Sequence, residues 1–179
     1  MFVHLDKAIH GVKDNKVTTL EEIRGLLWTD CMTPIGAMKR QYEEILDPNK
    51  LQAAVEEQLA NYNLLTDKPM DLVLFSFAVE HLLIIGRILK QPSGNALLVG
   101  VGGSGRQSLT KLATTISDYE PFQIEITKTY GKVEWREDLK KILKQSGARN
   151  TPTVFLFTDS QIKDESFVED INNLLNTYE

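Results

Sequence analysis

Asn95-Ala-Leu-Leu-Val-Gly-Val-Gly-Gly-Ser-Gly-Arg-Gln-Ser-Leu-Thr-Lys-Leu-Ala113 is the stretch that decides the fold. Residues 95–101 form a short, continuously apolar run that enters a cluster of glycines, the pattern of a buried strand ending in a loop. Helical spacing returns over residues 109–116. A loop in that position turns several backbone N–H groups toward one point, at the positive end of the following helix, and so suits phosphate oxygens. Gly100 and Gly105 have the separation of the phosphate-loop template, which continues with Lys and then Ser or Thr. Gly102, Gly103 and Gly105 supply the backbone freedom and close approach that such a cradle needs. The candidate ligand-binding residues are therefore Gly100, Val101, Gly102, Gly103, Ser104, Gly105, Arg106, Gln107 and Ser108.

The side chains depart from the template. Arg106 stands in the lysine position; it keeps the charge, but its planar fork is larger than an ammonium. Gln107 stands where a hydroxyl would ligate Mg²⁺, and Ser108 comes one residue late. Two readings follow: a loop that binds nucleotide, or one that keeps the backbone shape and binds weakly or not at all. Neither favours hydrolysis through this loop.

Downstream, a hydrolase of this design needs an apolar strand followed by two carboxylates, one ordering the metal and one polarising water. The candidate is Val154-Phe-Leu-Phe157, then Thr158 and Asp159. In that register Thr158 takes the metal-organising position and Asp159 the catalytic acid position. Shifted by one, Asp159 becomes the metal residue and Ser160 the missing base. Either way one carboxylate is lacking, so no catalytic or direct metal-ligating residue is assigned.

Around these motifs the chain alternates. Residues 122–127 alternate apolar and polar with period two, residues 134–146 form an amphipathic helix closed by Gly147, residues 153–157 form an apolar strand and 167–175 a last helix. Strand, helix, strand, helix, strand, helix predicts βαβ units and a mostly parallel sheet. Upstream, residues 1–66 read as short helices joined by irregular stretches, with a capped start at Thr18–Thr19, a break near residues 30–34, another at Asp47-Pro48-Asn49, and a clearer helix over 51–64. Thr66-Asp67-Lys68-Pro69 marks a boundary and the start of a largely apolar helix over 69–90. The predicted class is α/β, with a helical segment (1–66) leading into a P-loop unit (67–179).

Composition narrows the function. With 20 Lys and Arg against 25 Asp and Glu, the net charge of -5 is spread along the chain and argues against a nucleic-acid module. One cysteine, Cys31, excludes internal disulfides and cysteine-rich zinc patterns. Residues 1–4 do not begin a signal peptide, and Asp71, Glu80, His81 and Arg87 interrupt the longest apolar stretch, so no membrane span is predicted. His81 reads as a core or near-core histidine, Cys31 as a packed thiol, and Trp135 and Tyr130 as packing residues.

The run through the glycine loop, the run FQIEITKTYGKVEWREDLKKIL and the run PTVFLFTDSQIKDESFVEDINNLLNT together resemble the fourth AAA+ module of an axonemal dynein heavy chain. The Arg-Gln-Ser loop ending and the Thr-Asp-Ser strand end carry the likeness, with Lys68-Pro-Met-Asp-Leu-Val-Leu-Phe75 similar to the lead-in. The likeness covers residues 68–177, and residues 1–66 look like the connection from the preceding module. It implies a piece of a microtubule motor of cilia and flagella, whose first module drives the stroke and whose fourth is regulatory and precedes a coiled-coil stalk. ATP or ADP is the implied ligand. Mg²⁺ has less support, given Gln107 and Thr158. The implied partners are neighbouring AAA+ modules, microtubules through the stalk, and dynein intermediate and light chains, with a location in the cytoskeleton and axoneme. A whole AAA+ large domain needs two further strands after 153–157, so a fragment is expected. The alternatives are a purely structural ring element with no nucleotide and, from another class, an independent P-loop ATPase or kinase.

Overall fold

Asp47 ends one element and caps the next: its Oδ1 accepts from the N–H groups of Asn49 (3.0 Å) and Lys50 (3.4 Å), and Pro48 occupies the first helical turn. In the computed structural model, which describes residues 26–33, 37 and 39–176, the order is β1 (Leu27–Thr29), β2 (Glu43–Ile45), α1 (Pro48–Leu65), α2 (Ser76–Leu89), α3 (Arg106–Ile116), β3 (Glu120–Phe122), α4 (Lys132–Leu143), β4 (Thr153–Phe155) and α5 (Glu165–Asn176). A π turn (Lys144–Ala148) extends α4, and a 3-10 turn (Asp159–Gln161) follows β4.

Two apolar cores organise the described residues. The first lies between α1, α2 and α3, with Leu51, Val55, Leu82, Leu112 and Ile116 at its centre. The second gathers Ile124, Trp135 and Phe167, with Phe155, Phe157 and Leu139 packed around them. Trp135 stacks on Phe167 at a centroid distance of 4.5 Å and an angle of 9°, and its Nε1 donates to Asp170 Oδ2 at 2.8 Å. β3 and β4 pair in parallel across this core, with Glu120 opposite Thr153 and Phe122 opposite Phe155. The helix joining them is α4, so this is a βαβ unit of the expected kind.

Several elements differ from the sequence reading. The helix expected over 69–90 begins at Ser76; residues 69–74 are irregular and Phe75 is extended. Asn63 is the reason: its amide accepts from the Met70 N–H and donates to the Met70 carbonyl, both at 2.9 Å, which satisfies that residue outside a helix. Beyond it the chain alternates, with Leu72 and Leu74 on the first core and Val73 and Phe75 exposed. The capped start at residues 18–19 lies outside the described residues. Leu27, in a segment read as short helices and irregular stretches, lies in β1, antiparallel to β2 and opposite Ile45. α4 runs through Gly147 as a π turn, and the left-handed residue that ends it is Asn150, with φ of 52°.

The strand expected over 95–101 does not form among the described residues: the run is irregular, with Leu97 90% and Val99 84% exposed and Leu98 against the first core. A strand exists through its ladder partner, and among the described residues β3 and β4 are committed to each other. Of the three expected strands, two thus pair in parallel among the described residues. Strand 122–127 moves two residues earlier, to β3, while Ile124 and Ile126 keep their period and pack on the second core.

Candidate functional site

Gly103 and Gly105 take φ values of +76° and +74°, the left-handed region that disfavours every residue with a Cβ. They turn the chain from the extended run directly into α3, whose first internal bond runs from the Leu109 N–H to the Gly105 carbonyl at 2.8 Å. Gly105 is the N-cap, and no side chain caps this end. The first N–H groups of α3 therefore face outward without a side-chain acceptor, at the positive end of the helix. A Cβ at Gly102 or Gly103 would meet nothing within 4 Å, so the space in front of the loop is open.

Arg106 opens α3 with its guanidinium folded back over the start of the loop: Nη1 lies 2.6 Å from the place a Cβ on Gly100 would occupy. Among the described residues this guanidinium has no carboxylate partner. Gln107 is exposed and Ser108 half-buried. Deeper in α3 the hydroxyls of Thr110, Thr114 and Thr115 donate to the carbonyls four residues back, at 2.7–3.1 Å, and are used up within the helix. Leu72 supports the loop from below, with Cδ2 3.6 Å from where a Gly105 Cβ would sit.

The second motif is built on the other core. Thr158 is half-buried and Asp159 exposed. Thr158 Oγ1 lies 3.0 Å from Ser160 Oγ. Gln161, which the sequence reading did not single out, holds this turn. Its Oε1 accepts from the Thr158 N–H at 2.8 Å, its Nε2 donates to the Ile124 carbonyl at 2.7 Å, and the side chain is buried. The Thr158-x-x-Gln161 spacing of a capping box was the available signal. Among the described residues, no hydrogen bond or ion pair joins the loop to Thr158 or Asp159.

Uncapped amides, an open glycine loop and an unpaired guanidinium fit a polyphosphate. No group of three His, Cys, Asp or Glu side chains converges among the described residues. The remaining polar residues have structural duties. His81 Nδ1 bonds to the Phe77 carbonyl at 2.9 Å, with its ring against that phenyl. Cys31 is buried, and burial raises its thiol pKa, which keeps it protonated. The Tyr130 hydroxyl donates to Asp138 at 2.8 Å, and desolvation together with that carboxylate moves the phenol well above its usual value. Lys140 with Glu137 and Lys141 with Asp138 are surface pairs one turn apart. No helix among the described residues is long and apolar enough to cross a membrane.

A left-handed glycine loop opening a helix, beside a parallel βαβ pair, defines the class: part of an AAA+ α/β domain of the P-loop type. The pattern of the family described as "P-loop containing dynein motor region D4" matches residues 70–179, more than half of the sequence. The chain belongs to that family and is a stretch of dynein heavy chain. It is 53% identical over 169 residues to mouse "Dynein axonemal heavy chain 3", and 50% identical over 177 residues to the human protein of that name. It is 43% identical over 191 aligned residues to "Dynein-1-beta heavy chain, flagellar inner arm I1 complex" of Chlamydomonas reinhardtii. These alignments take in 94%, 99% and 100% of this chain but 4% of each relative.

Proposed function

We propose that this stretch is a regulatory nucleotide-binding module of a dynein motor, carrying a degenerate loop and acid position, and that it is not the motor's main hydrolysis site. One observation carries the reading: the loop has the left-handed glycines and uncapped helix start that phosphate oxygens need, while Arg106, Gln107 and Thr158 stand where turnover would need a lysine, a hydroxyl and a carboxylate. Nucleotide, when bound, supplies a polyphosphate whose charge the loop amides and Arg106 would hold. Its effect would be differential stabilisation, favouring one arrangement of adjoining modules over another. The names of the relatives support a place in the axoneme of cilia or flagella. Adjoining AAA+ modules of the same heavy chain are the proposed partners, with microtubules and the intermediate and light chains reached through the longer protein. Within this chain the proposed division falls between residues 66 and 67.

Calorimetric titration with ADP and ATP, with and without Mg²⁺, tests the reading alongside a phosphate-release assay. Saturable binding with no release above background is the expected result. A chain that binds neither nucleotide would sink the reading. That outcome would favour a structural ring element with no nucleotide.

A further inference from the structure

The four glycines of the loop are glycines for different reasons. Gly103 and Gly105 need their backbone conformation. Gly102 has neither a positive φ nor a neighbour within 4 Å of its missing Cβ, so nothing in the ligand-free chain demands it. Gly100 also lacks a positive φ, and its backbone would accept alanine. What fills the place of its Cβ is the Arg106 guanidinium: Nη1 at 2.6 Å, Cζ at 3.5 Å and Cδ at 3.7 Å.

We propose that Gly100 is the seat of Arg106, and that the pair is how this loop carries a guanidinium in place of a compact ammonium. An arginine at the first position of α3 is longer and wider than a lysine, and extended it would overshoot the loop or leave it for solvent. Folded over a residue with no side chain, it stays against the start of the loop, and among the described residues its donors are spent on no carboxylate. Arg106 is thus the positioning cation for the polyphosphate of a nucleoside di- or triphosphate, and Gly100 acts through it. The inference rests on the nucleotide-binding reading for its ligand but not for its geometry.

Because the obstructing atoms are the end of a flexible side chain, Gly100→Ala displaces the guanidinium rather than the fold. The test is a cycle of Gly100→Ala, Arg106→Ala and the double variant in the 179-residue chain. Thermal melting should leave Gly100→Ala within about 2 °C of wild type, a shift equivalent to about 0.5–1 kcal/mol for a chain of this size. ADP affinity by calorimetry should fall roughly tenfold in each single variant and no further in the double, the signature of two residues acting as a unit. Losses that multiply in the double variant, or a Gly100→Ala chain that binds like wild type while Arg106→Ala does not, overturn the proposal. The Arg106 Nε–H resonance, assigned by its loss in Arg106→Ala, gives a ligand-free readout. It should shift in Gly100→Ala and stay in place in Gly102→Ala. If no variant and no wild-type chain binds ADP, the nucleotide reading fails alone, and an unmoved Nε–H resonance overturns the seat as well.

Discussion

Replacing Trp135 by Phe tests whether the second core depends on one residue. Trp135 is 1% exposed, stacks on Phe167 and spends its N–H on Asp170. Of the residues in this core, Ile124, Trp135 and Phe167 are the buried ones, and the tryptophan is the largest. A tryptophan buries ~200 Å², near 5 kcal/mol at ~25 cal/mol per Å². Phenylalanine retains most of that area and loses about 1–1.5 kcal/mol with the second ring. The bond to a carboxylate would add roughly 1.5–3 kcal/mol if fully buried; Asp170 is half-buried and recovers water, so about 1 kcal/mol is the reasonable share. Urea unfolding followed by far-ultraviolet circular dichroism should therefore place Trp135→Phe about 2–2.5 kcal/mol below wild type, and Trp135→Ala about 3–5 kcal/mol below. Asp170→Asn keeps an acceptor and should cost under about 1 kcal/mol. A Trp135→Phe protein within 0.5 kcal/mol of wild type (roughly the resolution of such measurements) would refute the reasoning. So would an Asp170→Asn protein as unstable as Trp135→Phe, since the hydrogen bond would then outweigh the ring.

Gly103→Ala and Gly105→Ala should each lose roughly 1–2 kcal/mol of stability from forcing a Cβ into the left-handed region, while Gly102→Ala leaves unfolding unchanged; denaturant midpoints compare them. Gln161→Leu strands a half-buried N–H at Thr158 and a buried carbonyl at Ile124, for a loss of about 2 kcal/mol, and hydrogen exchange at Thr158 should accelerate. Asp164 accepts from the Ser166 hydroxyl and N–H and pairs with Lys132, which lowers its pKa from 3.8 to about 2. A depressed carboxylate stabilises above its unfolded pKa, so this contribution is present at pH 5 and lost as pH falls from 4 toward 2; Asp164→Asn should flatten that part of the acid melting curve.

The parallel unit was legible because its signals are local. Residues 134–146 show helical spacing and the helix forms over Lys132–Leu143, while Phe122, Ile124 and Ile126 keep period two on the second core. Strand pairing was less legible: the apolar run ending at Val101 announces burial, but no sequence pattern supplies its partner. The start of α2 was missed because helix propensity over 69–75 competes with a tertiary interaction, the Asn63 amide acting seven residues away. Gly147 misled for a related reason: a glycine can sit within a π turn as well as after a helix, and Asn150 supplies the left-handed exit. At the loop, the left-handed turn before α3 follows from glycine content. The fold of Arg106 over Gly100 lies beyond motif spacing, because it is a matter of one side chain's rotamer.

The Asn63 clamp bears on how the chain carries load. Composition punctuates the sequence at Thr66–Pro69, yet a single side chain grips both main-chain groups of Met70 across that punctuation. Two residues on, Leu72 bears on the underside of Gly105. A seam fastened in this way does not act as a swivel. From α1 to the glycine loop the chain thus runs through two successive contacts, the paired bonds at Met70 and the Leu72 side chain beside Gly105. Cutting the amide with Asn63→Ala would turn the strut into a slack tether.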